Sequence, residues 1–416
     1  MNAHHSPLHT QGASPSEAWP ILAGGRIGAI DLFRALTVLL MITVNSWHGV
    51  QGLPAWMGHM PADVDAMSFV DGVFPAFLFI VGMSIPFALQ QRLRAGTEAF
   101  WPLQAHVLQR SLGLLLLGVF MVNAEGGYEQ ARMGLPIALW ALLSYVGVFL
   151  IWGSLSGGPA FARGWRLAGV SLLLLLAGLY RSADGSMGLS PQWWGILGLI
   201  GWAYLIGCLA YQLCRGNLTG LLIGLVLCTA YTVLHRLPAL QAQTALSLIF
   251  SQAGHLAHGL LVLAGTTTAL LLFDGRLALS RSRRLGLALL LASVLALAAV
   301  VLRPAFKISK IYATPSWALF SAAGCVLIFA VLWALRVGER PAAEGAAPGL
   351  LDTVAAHPLL AYLLPFVFGW LGAWSPWGLP LWLRSGMPGV LFGPAYALLI
   401  AALVRLLVAR GLRLRI

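Results

Sequence analysis

Apolar runs long enough to cross a bilayer recur along the whole chain, and they leave few folds open. Twelve candidate spans stand at 28–46, 69–89, 105–122, 135–153, 165–180, 192–213, 218–234, 255–273, 285–302, 314–335, 351–370 and 388–409. The fifth is short, and Pro358 and Pro365 interrupt the eleventh, so the expected count is eleven or twelve. A hydrocarbon-spanning helix needs about 20 predominantly apolar residues. In lipid every backbone N–H and C=O must be paired inside the protein, which leaves helices or closed barrels. The runs lack the period-2 alternation of a barrel strand. The expectation is an all-α polytopic transmembrane bundle. Composition agrees, because only 9% of the 416 residues are charged and 59% are hydrophobic, whereas soluble domains carry about 25% charged residues.

The net charge of +12 would suggest nucleic acid in a soluble protein. In a membrane chain it reads as arginine facing anionic lipid and cytoplasm, so no nucleic-acid partner is expected. With a cytoplasmic N-terminus and twelve spans, 18 Lys and Arg fall on the cytoplasmic side and 7 on the other. That bias puts both termini inside and the loop 46–68 outside. Residues 1–25, polar and rich in Gly, Pro, Ser and His, read as a disordered cytoplasmic tail without a signal peptide. Residues 26–416 read as one membrane domain, with 337–349 a flexible linker within it. The four cysteines, Cys208, Cys214, Cys228 and Cys325, fall in the apolar spans and read as small core residues. His255 and His258 have helical metal-ligand spacing but no acidic third ligand nearby in sequence, and no metal is expected.

Costly charges point to the chemistry. An ionisable residue inside a span costs about 2.5–3.5 kcal/mol, so it usually has a partner or a role. Asp31 and Arg34 share one helix face at the start of the first span and read as a structural ion pair. Asp71 opens the second span, where it either caps the helix or orients a histidine. The loop between these spans holds Trp47, His48, Trp56, His59, Asp63 and Asp65 and no basic residue. Histidine is the commonest general base, and a carboxylate can fix its tautomer. Asn45 adds an amide donor at the outer end of span one. Further on, FKISK contains Lys307 and Lys310, the only two lysines in the chain. Both fall outside, against the positive-inside trend, and suit either a phosphate or carboxylate group or lipid headgroups. His357 and the many tryptophans read as packing and interface anchors.

RIGAIDLFRALTVLLMITVN, a loop histidine and FVDGVFPAFLFIVGMSIP together resemble the opening of the membrane domain of heparan-α-glucosaminide N-acetyltransferases and their bacterial relatives. Asp31, Arg34, Asn45, His59, Asp71, Phe74, Pro75, Phe77, Phe79 and Gly82 fill that pattern. FKISKIYATPSWALFSAAG and HPLLAYLL resemble later segments of the family. Ala35 stands where Gly is usual and His357 where Asn is usual. The loop before Asp71 is longer than the family's, so His48 stays a rival to His59.

The resemblance implies membrane-embedded transfer of an acetyl group from acetyl-CoA to an amino sugar or other cell-envelope glycan, in a bacterial inner membrane. It casts His59 as base or transient acyl carrier, Asp71 as its orienter, and Asn45 as an oxyanion or acceptor contact. Lys307, Ser309 and Lys310 are cast as contacts to coenzyme A or acceptor. A homodimer stays open. The competing expectation is a transporter or flippase for an envelope glycan or lipid-linked precursor, without covalent chemistry, and a weaker third is a non-catalytic membrane scaffold.

Overall fold

The computed structural model describes residues 22, 27–94, 100–154, 159–192, 195–236, 253–336, 348–374 and 378–414. The tail read from 1–25 and nearly all of the linker read from 337–349 lie outside them.

Among the described residues the chain forms thirteen α-helices and no named strand. They are α1 Gly28–Ser46, α2 Phe69–Arg94, α3 Phe100–Glu125, α4 Ile137–Trp152, α5 Pro159–Leu179, α6 Ile196–Leu213 and α7 Leu218–Leu234. The second half gives α8 Ala253–Phe273, α9 Arg281–Phe306, α10 Pro315–Ala334, α11 Leu350–Ala356, α12 Pro358–Gly372 and α13 Gly386–Ala409. Nine of these are long and apolar enough to cross a membrane, and α11 with α12 makes a tenth if they form one bent span. The molecule is an all-α polytopic bundle. Each apolar window read from the sequence is occupied by helix, because a run of apolar residues in lipid has no hydrogen-bond partner but itself.

The eleventh window holds two helices, not one, and they meet at 92°. The break falls at His357–Pro358. Proline disfavours the α conformation in the residue before it, and His357 sits at φ −130°, ψ 52°. Pro358 then opens α12 at its first turn, where its missing N–H costs nothing. Pro365 lies inside α12 without ending it.

Helix α8 is the axis of the bundle. Of its apolar window 89% is buried, against 17% for α5 at the edge. It packs on α2, α6, α7 and α10. Lipid offers helices no hydrophobic drive to associate, so close backbone approach through small residues does the work. A Cβ on Gly82 of α2 would overlap the carbonyl of Val262, and a Cβ on Gly265 of α8 would overlap that of Phe79. Thr266 Oγ1 donates to the carbonyl of Gly82 at 3.0 Å across the same crossing. On α3 and α6, Gly118 meets the backbone of Gly198 in the same way. The four cysteines are free, with Cys208 and Cys325 buried in helix packing.

Candidate functional site

The site forms at the end of the bundle where α1 stops and α2 begins. Ser68 and Asp71 make a reciprocal cap on α2. The Asp71 amide donates to Ser68 Oγ at 3.3 Å, and the Ser68 amide donates to Asp71 Oδ2 at 3.0 Å. Two orphan amides of the first turn are thereby satisfied. The Met60 amide also donates to Oδ2, at 3.2 Å, tying the preceding loop to the helix start. The other oxygen, Oδ1, lies 2.8 Å from His59 Nδ1. Capping the helix and orienting the histidine, the two roles read for Asp71, are thus carried by its two oxygens at once. The side chain of Asp71 is 2% exposed and that of His59 47%. A buried, fixed carboxylate therefore holds an accessible imidazole. With Nδ1–H donated to Asp71, Nε2 carries the free lone pair; that tautomer follows from the hydrogen-bond network.

Lys310 completes the arrangement from a distant part of the chain. Its Nζ stands 3.2 Å from His59 Nδ1 and 3.3 Å from Nε2. Near-equal distances put the ammonium over the imidazole, not on one lone pair. Burial pushes the Lys310 ammonium below the usual lysine range, and the charge of Asp71 opposes that shift.

The turn carrying Lys310 is strained and clamped. Lys307 has φ +51° and Ala313 φ +46°, left-handed values that residues other than glycine rarely adopt. Ser316 Oγ donates to the Lys307 carbonyl. The loop 46–68 grips the same turn at three points. Asp65 accepts from the Ile308 amide at 2.7 Å and from Arg303 Nε at 3.0 Å. Ser309 Oγ donates to the Ala62 carbonyl at 2.8 Å, and Tyr312 Oη to Asp63 at 3.1 Å. The Ile308 amide bond is the largest influence holding the Asp65 carboxyl below its ordinary range, with Arg303 and Lys307 acting in the same direction against desolvation. Asp63, Asp65 and Ser309 therefore spend their polar atoms fastening the turn.

A cavity of about 650 Å³ opens beside His59. Asn45, His48, Met57, Glu125 and Tyr362 are among its walls. A second cavity of about 420 Å³ shares Asn45, Glu125, Tyr362 and Phe366 with the first and adds Trp370 and Tyr396. Asn45, His48 and His59 thus face one space, and among the described residues only His59 has a carboxylate partner there. Lys310 reaches the imidazole without lining the cavity.

Asp31 and Arg34 lie elsewhere. They pair at 2.8 Å, and Arg34 also donates to Ser84 Oγ at 2.7 Å. On a helix rising 1.5 Å per residue, Asp31 and Asn45 stand roughly 21 Å apart. A third cavity of about 240 Å³, lined by Arg34, Ser84, Arg110 and Tyr204, opens at that other end. Among the described residues, His258 is not part of a group of three or more His, Cys, Asp or Glu side chains that could hold a metal ion. Its Nδ1 contacts the Gly254 carbonyl at 2.6 Å, and its ring lies between Phe74 and Trp317.

Two participants escaped the sequence reading. Ser68 was legible as Ser-x-x-Asp ahead of an apolar run. Glu125 gave no such signal, since a glutamate closing an apolar run reads as an interface residue.

A family described as a domain of unknown function (DUF5009) matches residues 26–186. That span includes His59, Asp71, Asn45, His48 and Glu125 and excludes Lys310. The heparan-alpha-glucosaminide N-acetyltransferase of Mus musculus is 30% identical over 129 residues, 28% of this chain and 18% of that protein. The enzyme of the same name from Homo sapiens is 31% identical over 98 residues, 24% of this chain and 14% of that protein. The similarity thus spans less than a fifth of either relative's length. The chain is distantly related to these N-acetyltransferases.

Proposed function

We propose that this chain is a membrane-embedded acyltransferase. It moves an acetyl group from acetyl-CoA to the amine of an amino sugar or a related cell-envelope glycan. The observation that carries the reading is the accessible His59, held by buried Asp71 and covered by Lys310, at the edge of a 650 Å³ cavity. Acyl transfer needs a base for the acceptor proton and donors for the developing oxyanion. His59 Nε2 takes the proton while Asp71 stabilises the imidazolium that forms. The Lys310 ammonium and the Asn45 amide supply charge and hydrogen bonds to the tetrahedral oxygen. Lys307, exposed on the same turn, offers a cation to the donor's phosphates. Ser309, whose hydroxyl is engaged with Ala62, holds that turn in place. The arginine bias of the sequence supports an orientation with both termini cytoplasmic and the His59 end outside, and the proposed location is the inner membrane.

The test is acetyl transfer from radiolabelled acetyl-CoA to glucosamine by the purified, detergent-solubilised protein. Wild type is expected to release thiol only when acceptor is present. His48→Ala is expected to keep activity within a few-fold of wild type, since His48 lacks the carboxylate that fixes His59. Loss of activity in His48→Ala with retention in His59→Ala would move the base to His48. Failure of the wild type to release thiol with any of a panel of amino sugars would overturn the enzyme reading in favour of non-covalent transport.

A pH prediction follows from Lys310. A lysine with a lowered pKa loses its ammonium at lower pH than a free lysine does. If that charge stabilises the oxyanion, kcat falls as pH rises through the lowered value. Arginine keeps its charge throughout. Lys310→Arg is therefore expected to move the alkaline fall in kcat to higher pH, and Lys310→Met to lower kcat across the whole range. A kcat–pH profile of the three proteins measures it, and coincident alkaline limbs for lysine and arginine would exclude this role.

A further inference from the structure

Glu125 has no part in the chemistry so far, yet it stands where an acceptor would. It is the last residue of α3, the end at which the helix dipole disfavours a negative side chain. No basic residue occupies the last turn of that helix. The described walls of the 650 Å³ cavity contain neither lysine nor arginine, and Glu125 is their one carboxylate. Among the described residues no side chain forms an ion pair with it. It is also one of four residues shared by the two adjoining cavities. Tyr145 and Tyr362 lie within its electrostatic reach. Glu125 is thus an exposed carboxylate at a helix C-terminus on the wall of a cavity lined by neither lysine nor arginine, a position open to a cation brought in from outside.

We infer that Glu125 is the acceptor-binding residue and selects a primary ammonium group. This inference rests on the acyltransfer reading for what happens next, but the binding itself does not need it. The acceptor enters as an ammonium ion paired with Glu125, its remaining body lying along the aromatic walls of the second cavity, Tyr362, Phe366, Trp370 and Tyr396. One ammonium proton is lost to solvent, freeing the lone pair. The amine attacks the thioester carbonyl carbon, so that a C–N bond forms and the C–S bond breaks. His59 takes the second amine proton and delivers it to the departing thiolate. The products are the amide, the free thiol and one proton, and no oxidant or reductant is required. A neutral hydroxyl acceptor of the same shape gains nothing from Glu125.

The experiment compares glucosamine with glucose, which carries a hydroxyl in place of the amine, as probes for wild type, Glu125→Gln and Glu125→Asp. Binding is read by calorimetry on the detergent-solubilised protein, and acetyl transfer is measured on the same preparations. Wild type is expected to prefer glucosamine. Glu125→Gln is expected to weaken glucosamine by roughly two- to five-fold while leaving glucose unchanged, and Glu125→Asp to restore part of the preference. An equal glucosamine-to-glucose ratio in wild type and Glu125→Gln overturns the assignment, whether or not transfer is seen. Amine-selective binding that depends on Glu125 in a wild type without transfer activity upholds the assignment and overturns the acyltransfer reading instead.

Discussion

Replacing His59 by alanine is expected to lower acetyl transfer by roughly 10²–10⁴-fold while leaving the thermal stability of the purified protein close to wild type. The His59 side chain is half-exposed, so its removal opens no core cavity. Asp71→Asn is expected to lower activity comparably and also to destabilise the fold. Asp71 is buried and serves two masters: Oδ1 holds His59, and Oδ2 accepts from the amides of Met60 and Ser68. A carboxamide presents one acceptor oxygen where the carboxylate presents two, so one group is left facing an N–H₂. Loss of a helix cap costs about 1 kcal/mol. The two variants therefore separate chemistry from architecture by combining turnover with thermal unfolding. The double variant is expected to be no slower than the slower single one, because residues acting as a unit are not additive. Full multiplication of the two defects would mean that Asp71 acts independently of His59.

The second large effect concerns the crossing of α2 and α8. Gly82→Ala or Gly265→Ala is expected to destabilise the bundle by roughly 1–3 kcal/mol or more. The added methyl meets backbone, at the Val262 and Phe79 carbonyls respectively, and a backbone carbonyl cannot rotate away as a side chain can. The displaced helix α8 would also lose the Thr266–Gly82 bond. Gly286→Ala on α9 is the control. Nothing lies within 4 Å of the Cβ it would gain, and alanine favours helix over glycine by about 1 kcal/mol. Thermal unfolding in detergent is expected to fall for the first two variants and to hold or rise for the third. Equal behaviour of all three would mean that the α2–α8 crossing tolerates separation.

The helices could be read along the chain because each answers a local demand. In lipid a backbone amide finds its partner four residues away or not at all, so apolar length nearly fixes helix position. The 92° break at His357–Pro358 was half legible. Proline marks the place, but it does not say whether a helix kinks slightly or turns aside. Asp71 was legible as a costly charge at a helix start, and its two roles stayed undecided because a carboxylate has two oxygens and the sequence assigns neither.

The resemblance put His59 first and kept His48 as a rival, and the tertiary structure adds which of the two meets Asp71. Both histidines lie ahead of Asp71 in the same loop, and sequence separation alone does not say which side chain turns toward the carboxylate. The Met60 and Ser68 amides draw the loop onto Asp71 so that His59 closes on it. Lys310 arrives from 251 residues away, through a turn whose left-handed residues persist because Asp65, Ala62 and Asp63 grip it. Glu125 became visible only when α3 and α1 were seen to wall one cavity. The sequence by itself determined where the chain is helical, since that rests on bonds between near neighbours. Which polar groups share a space was decided by how the helices cross, and that depends on contacts between residues far apart in the chain.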